Sequence, residues 1–236
     1  MSAVTHDAGH TAGHDSPIGP PDPSKHSPDF DVAHHFDTAD QQFDAGRMGI
    51  WLFLVTEILF FGGLFCAFFI FRSWYLESFV EAHHHLDKVM GAINTMVLIF
   101  SSLTMALAVR SAQVNDKKKT VAFLAVTLLC AAAFLVVKYF EYTHKIHEGL
   151  LPGKWFAGHG FHTAHPGMFF SVYFMMTGIH GLHVVIGIGL ILWILIRANR
   201  GEFSQRYYAP VEGVGLYWHL VDLVWIYLFP LLYLVG

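Results

Sequence analysis

Apolar residues run almost unbroken through five stretches of the chain, 48–71, 89–109, 120–140, 168–196 and 214–235. A helix crossing a bilayer needs roughly 20 mainly apolar residues, because the hydrocarbon core is about 30 Å thick and each residue rises 1.5 Å. Each stretch is long enough. None shows the period-two alternation of a half-buried strand, and in lipid a helix satisfies its backbone groups internally. The pattern predicts an all-α, polytopic membrane protein whose five transmembrane helices form a bundle. The fourth stretch exceeds what a bilayer requires, so it should tilt or extend past one interface.

Residues 1–46 are a different material. They hold five Pro, six His, eight Asp and a single Lys, with almost no aliphatic run. Such a segment buries too little apolar surface to offset its ordering entropy, so it reads as a disordered acidic tail ahead of a five-helix domain over 47–236. It has neither the basic start nor the apolar centre of a signal peptide.

The Lys and Arg flanking the stretches set an orientation. Lys25, Arg47, Arg110, Lys117, Lys118, Lys119, Arg197, Arg200 and Arg206 fall on one side, against Arg72, Lys88, Lys138, Lys145 and Lys154 on the other. The richer side is expected to be cytoplasmic, which places the N-terminus inside and the C-terminus outside.

Composition agrees with this picture and adds one oddity. The 236 residues are 54% hydrophobic and 14% charged, with a net charge of −4, which argues against a nucleic-acid partner. The two cysteines, Cys66 and Cys130, are too few and too far apart in sequence for a disulfide framework or a paired copper motif. The oddity is 17 His against 14 Lys plus Arg. Fourteen of them lie outside the apolar stretches, among them His6, His10 and His14 in the tail, His83, His84 and His85, His144 and His147, and His159, His162 and His165. Histidines at such spacings can ligate metal, but with no Cys beside them they read as interfacial.

The residues a membrane should reject are more informative. Glu57 lies well inside the first stretch, where an ionised carboxylate costs some 2.5–3.5 kcal/mol on insertion scales. It should be protonated, paired across helices, or turned toward a hydrated or protein-lined interior. His180 and His183, three apart in Thr177-Gly-Ile-His-Gly-Leu-His183, are expected on one helix face, with Gly178 and Gly181 admitting a neighbouring backbone. His219 and Asp222 are also three apart, close enough for a His–carboxylate pair, with Trp218 and Trp225 on the same stripe. Lys138 and Glu141 repeat that spacing at the outer end of the third stretch. These groups read as polar fasteners between helices, forming a stripe on which a lipid headgroup could be held. Only His180, His183 and His219 lie in the membrane, too few for a haem–copper centre. No catalytic, metal or cofactor-binding residue is assigned.

Several motifs in order resemble one family. Met48-Gly-Ile-Trp-Leu-Phe-Leu-Val-Thr-Glu57 precedes Phe60-Phe-Gly-Gly; Asn94-Thr95 lies on the second stretch and Glu141-Tyr142 closes the third. Thr177 to His183 follows, then Glu212, Tyr217-Trp-His-Leu-Val-Asp222 and Trp225. Over about residues 46–236 the chain resembles subunit III of haem–copper oxidases, in the five-helix form that lacks the first two helices of the seven-helix version. The tail has no counterpart in the family pattern.

The resemblance implies a chain without a redox centre, in a bacterial plasma membrane, with haem and copper carried by partner subunits. It implies packing on oxidase subunits I and II, mainly I, with cytochrome c engaged only through the complex. It also implies structural phospholipid in a cleft between helices and support of proton uptake and turnover. The family's cleft glutamate falls on Glu57, its paired histidines on His180 and His183, and its last-helix polar set on His219 and Asp222. The leading expectation is the non-redox structural and regulatory subunit III of a proton-pumping cytochrome c oxidase that reduces O2 to water. Quinol oxidases and nitric-oxide reductase systems have similar subunits. A stand-alone membrane haem protein, or a proton-coupled transporter built on Glu57, would be functions of another class; the chain shows no internal repeat of the kind many transporters carry.

Overall fold

The computed structural model describes residue 36 and residues 39–152, 156, 161–163, 165–203 and 208–234, without the side chains of 39, 40 and 85. The tail with His6, His10 and His14, and also Lys25, Lys154, His159, Arg206 and Val235, lie outside the described residues. The chain divides into two units, Met1–Gln42 and Phe43–Gly236. Of the first, Phe36 and the opening residues of the first helix are described.

Among the described residues every regular element is helical: α1 (Ala39–Trp74), α2 (Leu76–Ala82), α3 (Lys88–Gln113), α4 (Lys117–His147), α5 (Pro166–Arg200) and α6 (Ala209–Phe229). A 3-10 turn, His83–His85, follows α2, and a π-helical turn, Pro230–Leu234, continues α6. Five of these helices are long and apolar enough to cross a membrane. The chain is a multi-pass, all-α membrane protein.

The helices overrun the apolar stretches because their ends are set by caps rather than by hydrophobicity. The Asp87 carboxylate accepts the N–H groups of Val89 and Met90, at 2.9 and 3.1 Å, and starts α3. Asp116 does the same for α4 through Lys119 N–H at 3.1 Å. Both satisfy donors that a helix start leaves orphaned. Pro166 opens α5, where its missing N–H costs nothing, and Gly201 closes it at φ 79°, a left-handed conformation that favours glycine. The short α2 was not expected from the apolar pattern. Its seven residues, Leu76–Ala82, bury only Ser78, Phe79 and Ala82, too small a face for periodicity to reveal.

Helices α3 to α6 share one core that includes Leu98, Met105, Leu124, Phe134, Tyr173, Trp218 and Trp225. Helix α6 is central, with more than half of its apolar window buried, whereas α1 is peripheral. Phe53 of α1 meets Tyr217 at 5.9 Å between ring centroids, Phe61 meets His183 at 5.0 Å and Phe65 meets Tyr227 at 6.3 Å. Helix α1 thus leans on α5 and α6 through aromatic side chains.

Hydroxyls inside the spans are largely satisfied locally. Ser101 Oγ donates to Leu98 O at 2.8 Å, Thr127 Oγ1 to Phe123 O at 2.9 Å, and Thr104 and Thr127 meet each other across α3 and α4 at 2.8 Å. Such bonds lower the cost of polar groups in lipid and tie neighbouring helices.

Candidate functional site

Glu57 sits mid-way along α1, and the imidazole of His183 on α5 reaches its carboxyl, with His183 Nε2 2.9 Å from Glu57 Oε2. The other ring nitrogen, Nδ1, lies 2.8 Å from Ile179 O. A carbonyl oxygen only accepts, so Nδ1 carries a hydrogen. Nε2 then either accepts from a protonated Glu57 or donates to an ionised one. In both cases one proton lies in the contact and the pair as a whole is neutral. That removes most of the cost of a membrane carboxyl. Phe60 and Phe61 flank the imidazole, and Tyr217 Oη donates to His183 O at 3.1 Å. The two side chains remain 17% and 14% exposed, so the pair reaches the bundle surface beside α1.

His180 does not join it. Residues three apart on a helix are rotated by about 60°, so His183 turns to α1 while His180 turns into the interior. There it is fully buried between Phe134 of α4, at 5.8 Å, and Trp225 of α6, at 5.2 Å. Neither ring nitrogen finds a hydrogen-bond partner among the described residues. The expectation that the two histidines serve one face is therefore corrected: they belong to different interfaces. Nor do Gly178 and Gly181 admit another backbone, since a Cβ at either would meet nothing within 4 Å. The close approach on α5 is at Gly187, where a Cβ would lie 2.7 Å from the Trp218 ring.

The same rotation separates His219 from Asp222. His219 Nδ1 contacts Ser102 Oγ of α3 at 2.7 Å, at the half-buried edge of the α3–α6 seam. Asp222 points inward, 2% exposed, and neither carboxyl oxygen has a hydrogen-bond partner among the described residues. The hydroxyls of Ser101 and Ser102 are near enough to act on it. Neither is aligned on it, because Ser101 serves Leu98 O and the Trp218 indole while Ser102 meets His219. The expected His219–Asp222 pair is not formed. Trp218 is fully buried and donates through Nε1 to Ser101 Oγ at 3.1 Å; Trp225 donates likewise to Thr95 Oγ1 at 3.1 Å.

Glu141 heads a second, sealed network. Lys138 Nζ donates to Glu141 Oε2 at 2.8 Å and to Tyr233 Oη at 2.7 Å. Tyr173 and Tyr233 both donate to Glu141 Oε1, at 2.9 and 2.5 Å. The ammonium also lies 4.4 Å from the Trp225 ring centroid, a cation–π distance. The fastener is thus wider than the i,i+3 pair legible in sequence: it ties α4 to α5 and to the π turn after α6. Nothing local in the sequence announces Tyr233 as a partner 95 positions from Lys138.

The described residues contain no group of three or more His, Cys, Asp or Glu side chains arranged to hold a metal ion. Cys66 and Cys130 are free thiols on α1 and α4. The arrangement binds helices to one another and leaves the Glu57–His183 pair at the bundle surface.

Comparison with known proteins supplies the context of that arrangement. The family profile described as cytochrome c oxidase subunit III matches residues 32–236. The chain belongs to this family. A subunit 3 of cytochrome c oxidase from Synechocystis sp. is 34% identical over 193 residues, 81% of this chain and 76% of the relative. A quinol oxidase subunit 3 from Bacillus spizizenii is 32% identical over 84% of this chain and 92% of its own length. A haem–copper oxidase subunit I+III from Aeropyrum pernix is 31% identical over 81% of this chain and 23% of its own length. As a member of the subunit III family, the chain is a subunit of a terminal oxidase complex. The match begins ahead of the first span, so family similarity reaches into the last part of the tail.

Proposed function

We propose that the chain is the non-redox supporting subunit of a proton-pumping cytochrome c oxidase. Haem, copper and the reduction of O2 to water reside in partner subunits; this chain stabilises the catalytic subunit, holds structural phospholipid beside α1 and sustains proton uptake. The observation that carries the reading is the Glu57–His183 pair, a protonatable contact at the bundle surface. Subunit I is the main partner, and the joining of subunits I and III in one Aeropyrum pernix chain supports that proximity. The excess of Lys and Arg on the side of the α3–α4 turn and the α5 end supports a cytoplasmic N-terminus, in a bacterial plasma membrane.

The test is Glu57→Gln in the purified oxidase. Assembly and haem spectra are expected to be unchanged, while retained phospholipid or activity during prolonged turnover falls. Unchanged lipid and unchanged endurance together would contradict the reading.

Quinol as electron donor is the second reading, favoured by the Bacillus spizizenii relative, whose identity is close to that of the Synechocystis one. The donor site lies on another subunit. A two-Cys copper motif in the co-purified subunit II selects cytochrome c; its absence selects quinol.

A further inference from the structure

A second lipid-facing feature lies away from Glu57, at the N-terminal end of α3. Val89, Ile93 and Met96, spaced i, i+4 and i+7, form an apolar stripe left 67%, 52% and 70% exposed. With Phe229 and Leu234 opposite, they wall an open groove of ≈ 560 Å³, and Lys88 stands at its rim. From Lys88 to Met96 the groove runs about 12 Å into the span, at 1.5 Å per residue.

The far wall is built rather than incidental. Gly91 lets Phe229 lie against the α3 backbone, since a Cβ there would come within 2.7 Å of its ring. Phe229 packs on Tyr233 at 5.5 Å, and Tyr233 is held by Lys138 and Glu141. The π turn, a geometry often found at functional sites, leaves Leu234 53% exposed beside α3. The rim charge is available. Lys88 makes no hydrogen bond or ion pair among the described residues, and the neighbouring Asp87 carboxylate is committed to the first N–H groups of α3.

An apolar groove open to the bilayer is filled by something apolar. Its volume suits a slender small-molecule ligand. A lysine at the end of a span attracts the phosphate of an anionic headgroup. We propose that the groove seats an acyl chain of an anionic phospholipid, from the leaflet at the N-terminal end of α3, with its phosphate on Lys88. This rests on the chain's spanning a membrane and not on the role of Glu57.

The test uses the whole purified oxidase in phosphatidylcholine vesicles containing a trace of phosphatidylglycerol with a photoactivatable acyl chain. Labelling of residues 88–97 is expected. Lys88→Gln should lower it about fivefold, the equivalent of roughly 1 kcal/mol for one basic residue near the surface. Ile93→Trp should abolish it by filling the groove with Lys88 intact, and a photoactivatable phosphatidylcholine should label about as weakly as Lys88→Gln. Glu57→Gln should leave the labelling unchanged, which separates this site from lipid held beside α1. Equal labelling of wild type and Lys88→Gln overturns the proposal. So does cross-linking of 88–97 to another oxidase subunit in place of lipid.

Discussion

Glu57 and His183 stand 126 positions apart in the sequence and share one proton across a 2.9 Å contact between α1 and α5. The Ile179 carbonyl fixes which imidazole nitrogen is protonated, and the proton count of the pair follows from that bond alone. A glutamine amide can donate to a neutral Nε2, so Glu57→Gln should assemble like wild type. Glu57→Leu removes the partner and leaves a half-buried imidazole nitrogen unsatisfied, at about 1–3 kcal/mol. Its oxidase should lose this subunit at a lower detergent concentration. A hydrophobic carbodiimide should modify Glu57 in the wild type, as a protonated carboxyl in lipid requires. An unmodified, ionised Glu57 would place the shared proton on His183 Nε2 and contradict the protonated-carboxyl form.

Asp222 presents a different case, a buried carboxyl with no ion-pair or hydrogen-bond partner among the described residues. An ionised carboxylate without a partner costs several kcal/mol in the interior, so the group is predicted to be a neutral acid. Infrared difference spectra should show a protonated-carboxyl stretch that disappears in Asp222→Asn. That variant, nearly isosteric, should fold and assemble. A carboxylate band for Asp222 at neutral pH is the opposing result.

The glycines of α5 divide cleanly. At Gly187 an alanine methyl would meet the ring of fully buried Trp218 at 2.7 Å. Overpacking of this kind costs about 1–3 kcal/mol. At Gly181 the methyl would meet nothing within 4 Å. Thermal unfolding of the detergent-solubilised oxidase should therefore show Gly187→Ala destabilising this subunit and Gly181→Ala leaving it unchanged. Equal effects would show that α6 does not pack on α5 as described.

On the Lys145 side of the membrane, Glu81 of α2 accepts the backbone N–H groups of His162 at 2.8 Å and Thr163 at 3.1 Å. These bonds, that of His162 first, hold the Glu81 carboxyl below its ordinary range. A lowered native pKa means the clip stabilises fully above the ordinary glutamate value near 4.5 and is lost as the pH falls through the lowered one. Amide exchange at 161–163, corrected for the intrinsic rate, should be slow at neutral pH and rise only in strong acid. Glu81→Gln, which keeps one acceptor and no charge, should raise it at neutral pH. Exchange in wild type that rises already above pH 4.5 would contradict the clip.

What sequence could and could not reveal follows from how each group is held. The five spans were legible because lipid imposes length and apolarity residue by residue, and Lys138–Glu141 because helical spacing alone puts them together. Glu57 was legible as a group needing a partner, but its choice of His183 over His180 depends on the rotation of α5 against α1. The same 60° offset sends His219 to Ser102 and leaves Asp222 alone. Ser101, Ser102 and Tyr233 carry no local signal, since their roles arise from helices brought together by the fold. Gly187 and Gly181 are alike in sequence context, and only the position of Trp218 distinguishes them.

We propose that this subunit III supports an oxidase without taking part in its electron transfer. The most direct test compares the purified oxidase with and without this chain, following haem spectra, initial rate and activity through prolonged turnover. Intact spectra, a preserved initial rate and an early loss of activity are expected when the chain is absent. Full activity sustained through prolonged turnover without the chain, or a haem or copper signal lost with it, would rule out that supporting role.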